Sequence, residues 1–192
     1  ITEPGAGSDV AAMKTTAKRV GNHYLLNGTK IWITNATVAD AGVIFAYTDR
    51  SQKHRGMSAF YAELNQPSVI RRDLDKLGAH ASPTGELTFD NFKLPAENLI
   101  GQEGDGFKIC MRHLNHTRLG CAAGAVGLAK AARQAAVGYA NQREQFGQKI
   151  GQFQMNQDLI AQMVVQEEAA RLLVYRAACL ADRGQPYNLE VS

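Results

Sequence analysis

The alternation of apolar and polar positions changes period once along the chain, near Pro95. Before that point, short apolar runs alternate with polar residues at period two and are broken by turn formers, the pattern of half-buried β-strands. His23–Leu26 and Lys30–Ile33 flank Asn27-Gly28, whose tolerance of positive φ predicts a tight hairpin. Further strands are expected at Gly42–Thr48, Met57–Glu63 and Val69-Ile70, and at Glu86–Phe89 and Phe92–Leu94 across a turn at Asp90-Asn91. Many short strands of this kind predict an antiparallel β-barrel or sandwich.

From Gly106 the apolar residues recur at helical spacing. Phe107, Met111, Leu114, Cys121, Leu128 and Tyr139 predict a long helix ending near Asn141, with Asp105 as its N-cap. Gly120, Gly124 and Gly127 lower helix propensity, which is expected where another element packs close to the backbone. A second helix is predicted from about Gln152 to Asp182, stopping at Arg183-Gly184 because glycine favours the position just past a helix end. Asn188 reads as the cap of a third helix that would need residues beyond Ser192. Two long helices cannot cover each other's apolar faces as three or four do. The expected class is therefore α+β: an antiparallel β-barrel or sandwich over residues 1–100, then, over 101–192, long antiparallel helices of an incomplete four-helix bundle. The chain is expected to be an internal piece of a longer protein.

Composition removes several alternatives. With 45% hydrophobic and 20% charged residues in 192, disordered and fibrous architectures are excluded. A net charge of +3, with no dense basic cluster interleaved with aromatics, argues against a nucleic-acid partner. The longest uncharged apolar run, Leu119–Ala129, falls short of the roughly 20 residues that span a bilayer, so no membrane span is expected. Cys110, Cys121 and Cys179 show no metal-ligand spacing. Cys110 and Cys121 would stand about 16 Å apart on one helix face, too far for a disulfide, so buried structural thiols in a reducing compartment are expected and no metal is.

Two segments carry candidate chemistry. Thr2-Glu-Pro-Gly-Ala-Gly-Ser-Asp9 is a glycine-rich turn whose backbone can approach a phosphate or a ring edge, with Thr2 and Ser8 as directional donors. It lacks the strand and helix context of a dinucleotide fingerprint, so a Rossmann reading is rejected. In Trp32-Ile33-Thr34, alternation places the indole and the hydroxyl on one strand face, a platform for a planar heteroaromatic ring. Taken alone, each segment favours the plainer reading, a simple connection for the first and a core tryptophan with a surface threonine for the second.

Together they are specific. The T-E-P-G-A-G-S-D run, with W-I-T thirty residues after its Thr, resembles the middle β domain of the acyl-CoA dehydrogenase family. The resemblance continues through Lys76-Leu-Gly78, Pro95–Gly101, Gly104–Phe107, Thr117-Arg118, Arg143–Gly147 and Phe153-Gln154, and so covers essentially the whole chain. It implies an FAD enzyme that dehydrogenates an acyl-CoA thioester at the α and β carbons and passes electrons to an electron-transfer flavoprotein. An oxidase of the same fold and a low-activity flavin-binding scaffold are the alternatives.

By the same resemblance, Thr2, Gly7, Ser8, Trp32, Ile33 and Thr34 line the flavin, with Thr34 near N5, Thr2 at the pyrimidine edge and Ser8 between flavin and thioester. Arg143, Gln145 and Phe146 contact the FAD of a neighbouring subunit, which implies a homo-oligomer, a dimer of dimers, and Gln154 makes a further FAD contact. Leu114, Asn115, Thr117 and Arg118, with Ser8, border the acyl-CoA. Asn115 departs from the Asp of many members and leaves acyl specificity open. Lys53, His54 and Arg55 form a basic loop that faces either CoA phosphates or solvent, and His113 and His116 are expected at the surface or at an interface. No Asp or Glu lies between Gly106 and Arg143, so the catalytic base is expected outside this chain. The implied location is the bacterial cytoplasm or the mitochondrial matrix.

Overall fold

Two twelve-residue strands, β2 (His23–Thr34) and β6 (Thr84–Pro95), pair antiparallel along nearly their whole length. They belong to the first of two units into which the chain divides, Ile1–Met111 and Arg112–Ser192. The computed structural model describes residues 1–192. Around this pair run β1 (Thr16–Val20), β3 (Ala41–Tyr47), β4 (Met57–Glu63), β5 (Val69–Asp73) and β7 (Leu99–Ile100), in the order β5-β6-β2-β1-β3-β4-β7. One junction is parallel, where Thr16 of β1 meets Tyr47 of β3.

The edge strands β5 and β7 do not pair, so the sheet is not a closed barrel. It is sandwich-like: Tyr24 of β2 and Phe60 of β4 stand three strands apart in the order, yet their rings meet edge to face at 4.9 Å. The sheet must therefore curl over its own apolar face. Leu26, Ile44, Leu87, Phe89, Phe92 and Leu94 fill that face. Burying one such side chain stabilises the fold by about 1.5–3 kcal/mol.

The expected hairpin at Asn27-Gly28 does not form. β2 runs through those residues, and the chain reverses instead at Gly21-Asn22, between the paired Val20 and His23, with Gly21 at φ +60. The turn expected at Asp90-Asn91 likewise lies inside β6. These two misread signals face each other. Leu26 pairs with Phe92 and Gly28 with Phe89, so Asp90 and Asn91 together oppose Asn27 as a β-bulge. Asn91 takes φ +47, and its amide donates to the Asn27 side-chain oxygen at 2.8 Å. Packing explains the extra residue: Leu87 and Phe89 point inward on one side of the bulge and Phe92 and Leu94 on the other, a change of parity that an uninterrupted strand cannot make.

The helices α1 (Gly106–Ala140) and α2 (Gln154–Asp182) stand within two residues of their expected limits. Asp105 precedes α1, but its carboxylate accepts the Gln102 amide at 3.1 Å and so serves the turn before the helix. A close backbone approach does occur on α1, at Gly106, where a Cβ would lie 2.7 Å from the Ser58 backbone. Gly120, Gly124 and Gly127, where it was expected, have nothing within 4 Å of such a Cβ.

Within the second unit α1 and α2 run antiparallel, joined by an ion pair between the half-buried Arg133 and the buried Glu167 and flanking a groove of about 400 Å³ lined by Ala125, Ala129, Met163 and Ala170 among others. Val165, Leu172 and Leu173 of α2 remain exposed, as in an incomplete bundle. α2 ends with Gly184 at φ +65, the Gly184 amide donating to Ala181 and the Gln185 amide to Leu180, both carbonyls of the last helical turn. Asn188 opens a turn over residues 188–191 and not a helix. Cys110 is buried, but Cys121 and Cys179 are exposed, so two of the three thiols are not the buried ones expected. No helix is long and apolar enough to cross a membrane.

Candidate functional site

Trp32 sits at a second irregularity of β2. Lys30 pairs with Leu87 and Ile33 with Gly85, so Ile31 and Trp32 together oppose Glu86, and Trp32 takes φ +60. The bulge changes which face the strand presents. Tyr24, Leu26 and Lys30 are buried at even positions, and an unbroken strand would bury Trp32 with them. Instead Ile33 packs against the core, Trp32 is 59% exposed and Thr34 is exposed beside it. The indole and the hydroxyl-bearing Thr34 are thus both open to solvent.

The N-terminal loop lies against the same stretch of strand. The Ile31 amide donates to the Thr2 carbonyl at 2.9 Å, and Glu3 and Ala6 exchange two backbone hydrogen bonds across Pro4-Gly5. Gly7 and Ser8 are exposed, and a Cβ on Gly5 or Gly7 would meet nothing within 4 Å. The loop backbone is therefore open to a flat group.

Glu3, which the sequence reading passed over, is the buried anchor of this region. Its carboxylate accepts from the Lys14 amide at 2.5 Å, the Thr15 amide at 3.0 Å, the Thr15 hydroxyl at 2.5 Å and Lys30 Nζ at 2.7 Å. Lys30 Nζ also donates to the Ile1 carbonyl at 3.3 Å. Burial pushes the Glu3 carboxyl up, but the Lys30, Thr15 and Lys14 donors together outweigh it and hold it below the ordinary carboxylate range. Burial pulls the Lys30 ammonium down, against the opposing pull of Glu3. A signal for the pair was present: Lys30 occupies an inward position in a strand whose other inward residues are apolar, and a buried lysine requires a partner.

In the second unit, Leu114, Asn115, Thr117 and Arg118 lie on adjacent turns of α1. Arg118 donates to the Asn115 side-chain oxygen at 3.1 Å, Asn115 to that of Asn188 at 2.8 Å, and the Thr117 hydroxyl to the Leu114 carbonyl at 3.1 Å. His113 and His116 are exposed, as expected. Arg143, Gln145 and Phe146 belong to a small hairpin that periodicity did not reveal, β8 (Glu144–Gln145) and β9 (Gln148–Lys149). Its turn, Phe146-Gly147, has positive φ at both residues, 53° and 78°, the conformation of a type I′ turn. Phe146 is 94% exposed at the tip, its ring edge-on to Phe153 at 6.3 Å, and Gln154 is exposed at the start of α2.

Comparison with known proteins agrees in both units. Residues 1–92 match the family model for the acyl-CoA dehydrogenase middle domain, and residues 104–192 that for the acyl-CoA dehydrogenase C-terminal domain. The chain belongs to the acyl-CoA dehydrogenase family. The glutaryl-CoA dehydrogenase of Desulfococcus multivorans is 57% identical over 98% of the chain and 49% of its own length. The structure of a glutaryl-coenzyme A dehydrogenase–glutaryl-CoA complex is 58% identical and superimposes with a TM-score of 0.92, covering 95% of this chain and 46% of that one. A chain in the structure of the electron transferring flavoprotein of Acidaminococcus fermentans is 49% identical with a TM-score of 0.95, covering 99% of this chain and 50% of that one. This acyl-CoA dehydrogenase family chain thus spans about half the length of the relatives it matches.

The residues present fit the cofactor that the family implies. A planar ring needs an open apolar face with a hydroxyl beside it and backbone that can come close without side chains intervening. The exposed Trp32, the neighbouring Thr34 and the unobstructed Gly5 and Gly7 meet those needs.

Proposed function

We propose that the protein of which this chain is part is an FAD-dependent acyl-CoA dehydrogenase. The observation that carries the reading is the bulge at Ile31-Trp32, which turns a bulky aromatic out of the core and sets it beside Thr34. Bound FAD supplies a hydride acceptor at N5. Thr34 donates toward that atom and Thr2 toward the pyrimidine edge, where negative charge gathers on reduction, and fixed donors there favour the reduced state. Trp32 flanks the ring, Ile33 anchors the strand in the core behind it, and Gly7 and Ser8 keep the loop backbone close to cofactor and thioester.

Leu114, Asn115, Thr117 and Arg118 hold the acyl-CoA along α1. Asn115 and Arg118 are already hydrogen-bonded to each other, so they act as one polar unit. Arg143, Gln145 and Phe146 reach the flavin of a neighbouring subunit in a homo-oligomer, a dimer of dimers, Gln154 makes a further flavin contact, and the exposure of Phe146 at a hairpin tip supports the shared site. On this reading residues 1–100 carry flavin and thioester contacts and residues 101–192 the helical contacts. No carboxylate lies on α1, so the α proton goes to an Asp or Glu outside residues 106–143.

Glutaryl-CoA is the first thioester to test, and an electron-transfer flavoprotein is the electron acceptor, in the bacterial cytoplasm or the mitochondrial matrix. Full-length protein should purify yellow and bleach anaerobically with glutaryl-CoA or a short-chain acyl-CoA, and in air it should reduce dye without forming peroxide. Peroxide formed in air in step with thioester consumption would identify an oxidase. A colourless protein that cannot be reconstituted with FAD would remove the assignment.

A further inference from the structure

We propose that the buried Glu3–Lys30 ion pair is a positioning device that sets the two halves of the flavin face, the Thr2–Ser8 loop and the Trp32–Thr34 strand, relative to each other. The inference rests on the flavin reading above. Lys30 is 1% and Glu3 5% exposed at the side chain. A pair so deeply buried gives little net stability, because the lost hydration offsets its attraction, and apolar replacements of similar volume are often neutral or stabilising. Its connections explain its presence better than energy does.

Glu3 follows Thr2 directly, and the Thr2 carbonyl receives the Ile31 amide. Lys30 is the last regular residue of β2 before the bulge that exposes Trp32. The 2.7 Å bond between them therefore ties the loop to the strand at the point where the strand changes face. A second tie runs through Thr15. Its amide and hydroxyl both donate to Glu3, and it lies so close to Gly28 that a Cβ there would stand 2.4 Å from its hydroxyl oxygen and 2.7 Å from its Cα. Gly28 flanks the other irregularity of β2, opposite Asp90-Asn91. One carboxylate thus fixes the loop, Thr15 and the strand between two bulges. Met13 Sδ, 3.6 Å from Lys30 Nζ, closes the cluster from the remaining side.

The test uses full-length holoenzyme with Glu3→Gln and Lys30→Met combined, which removes both charges at little change in volume. The expected result is a melting temperature at or near that of the wild type. The flavin's visible band shifts, flavin reduction slows roughly tenfold or more while KM for the thioester stays within about twofold, and amide exchange at Lys14, Thr15 and Ile31 speeds up in the apoprotein. Should the double variant not fold, Thr15→Val removes one donor to Glu3 without changing any charge, and is expected to shift band and rate in the same direction by a smaller factor. An unchanged flavin spectrum and reduction rate in whichever variant folds, even with lowered stability, would overturn the proposal and leave the pair a purely structural feature. A wild-type enzyme unable to bind FAD would overturn the flavin reading first, and this inference with it.

Discussion

Trp32 holds a left-handed backbone conformation that costs a bulky residue about 1–2 kcal/mol, and it does so with most of its side chain out of the core. Packing of Ile33 against the core offsets part of that cost. Exposing the indole beside Thr34 offsets more once a ring binds there. Replacing Thr34 by Val keeps the shape of the strand and removes one donor from that face. Flavin reduction by thioester, followed by stopped flow, should fall by roughly 10²-fold, while FAD affinity changes far less, because the hydroxyl acts on charge that develops only during reduction. Glu3 makes a separate prediction about acid. Its folded pKa lies below the ordinary value, so the stabilisation it provides is complete above about pH 5 and is lost as pH falls through the depressed folded value. Thermal unfolding of wild type and Glu3→Gln across pH should show a stability gap that is widest near neutrality and closes on the acid side. A gap that widened as pH fell would contradict this assignment.

At the scale of elements, the sequence was legible wherever a pattern was carried by residues near one another. β4 spans the predicted residues, α1 and α2 end almost where expected, and the glycine after α2 stops it. Asn27-Gly28 and Asp90-Asn91 were misread because tolerance of positive φ serves a turn and a bulge equally well. Only the pairing of Leu26 with Phe92, across more than sixty residues of chain, decides between them. The candidate site was legible in its face, Trp32 and Thr34, and not in its support, since Glu3 and Lys30 are meaningful only as a pair. The β8–β9 hairpin escaped because two-residue strands have no period to detect. The stop of α2 can be tested directly. Gly184→Ala forces a side chain into φ +65 and should cost about 1 kcal/mol, read as a lowered urea midpoint at unchanged slope, with flavin content unaffected.

At the scale of the whole molecule, the placement of Phe146 has a consequence that no single residue shows. An aromatic ring carried at the tip of a type I′ hairpin and 94% exposed is suited to enter another molecule's site. If Arg143 and Phe146 complete the flavin site of a neighbouring subunit, two differently damaged subunits can restore each other. One would carry Trp32→Ala with Thr34→Val, the other Arg143→Ala with Phe146→Ala. In a mixed dimer, one site combines both lesions and is dead, while the other takes an intact strand from one subunit and an intact hairpin from its partner. Half of randomly assembled dimers are mixed, and half of the sites in those are whole, so co-refolding two inactive variants should recover about a quarter of wild-type flavin reduction. Sites built from a single subunit would recover none, because every subunit carries a lesion. The fraction recovered therefore separates a shared site from a private one without reference to which thioester the enzyme prefers.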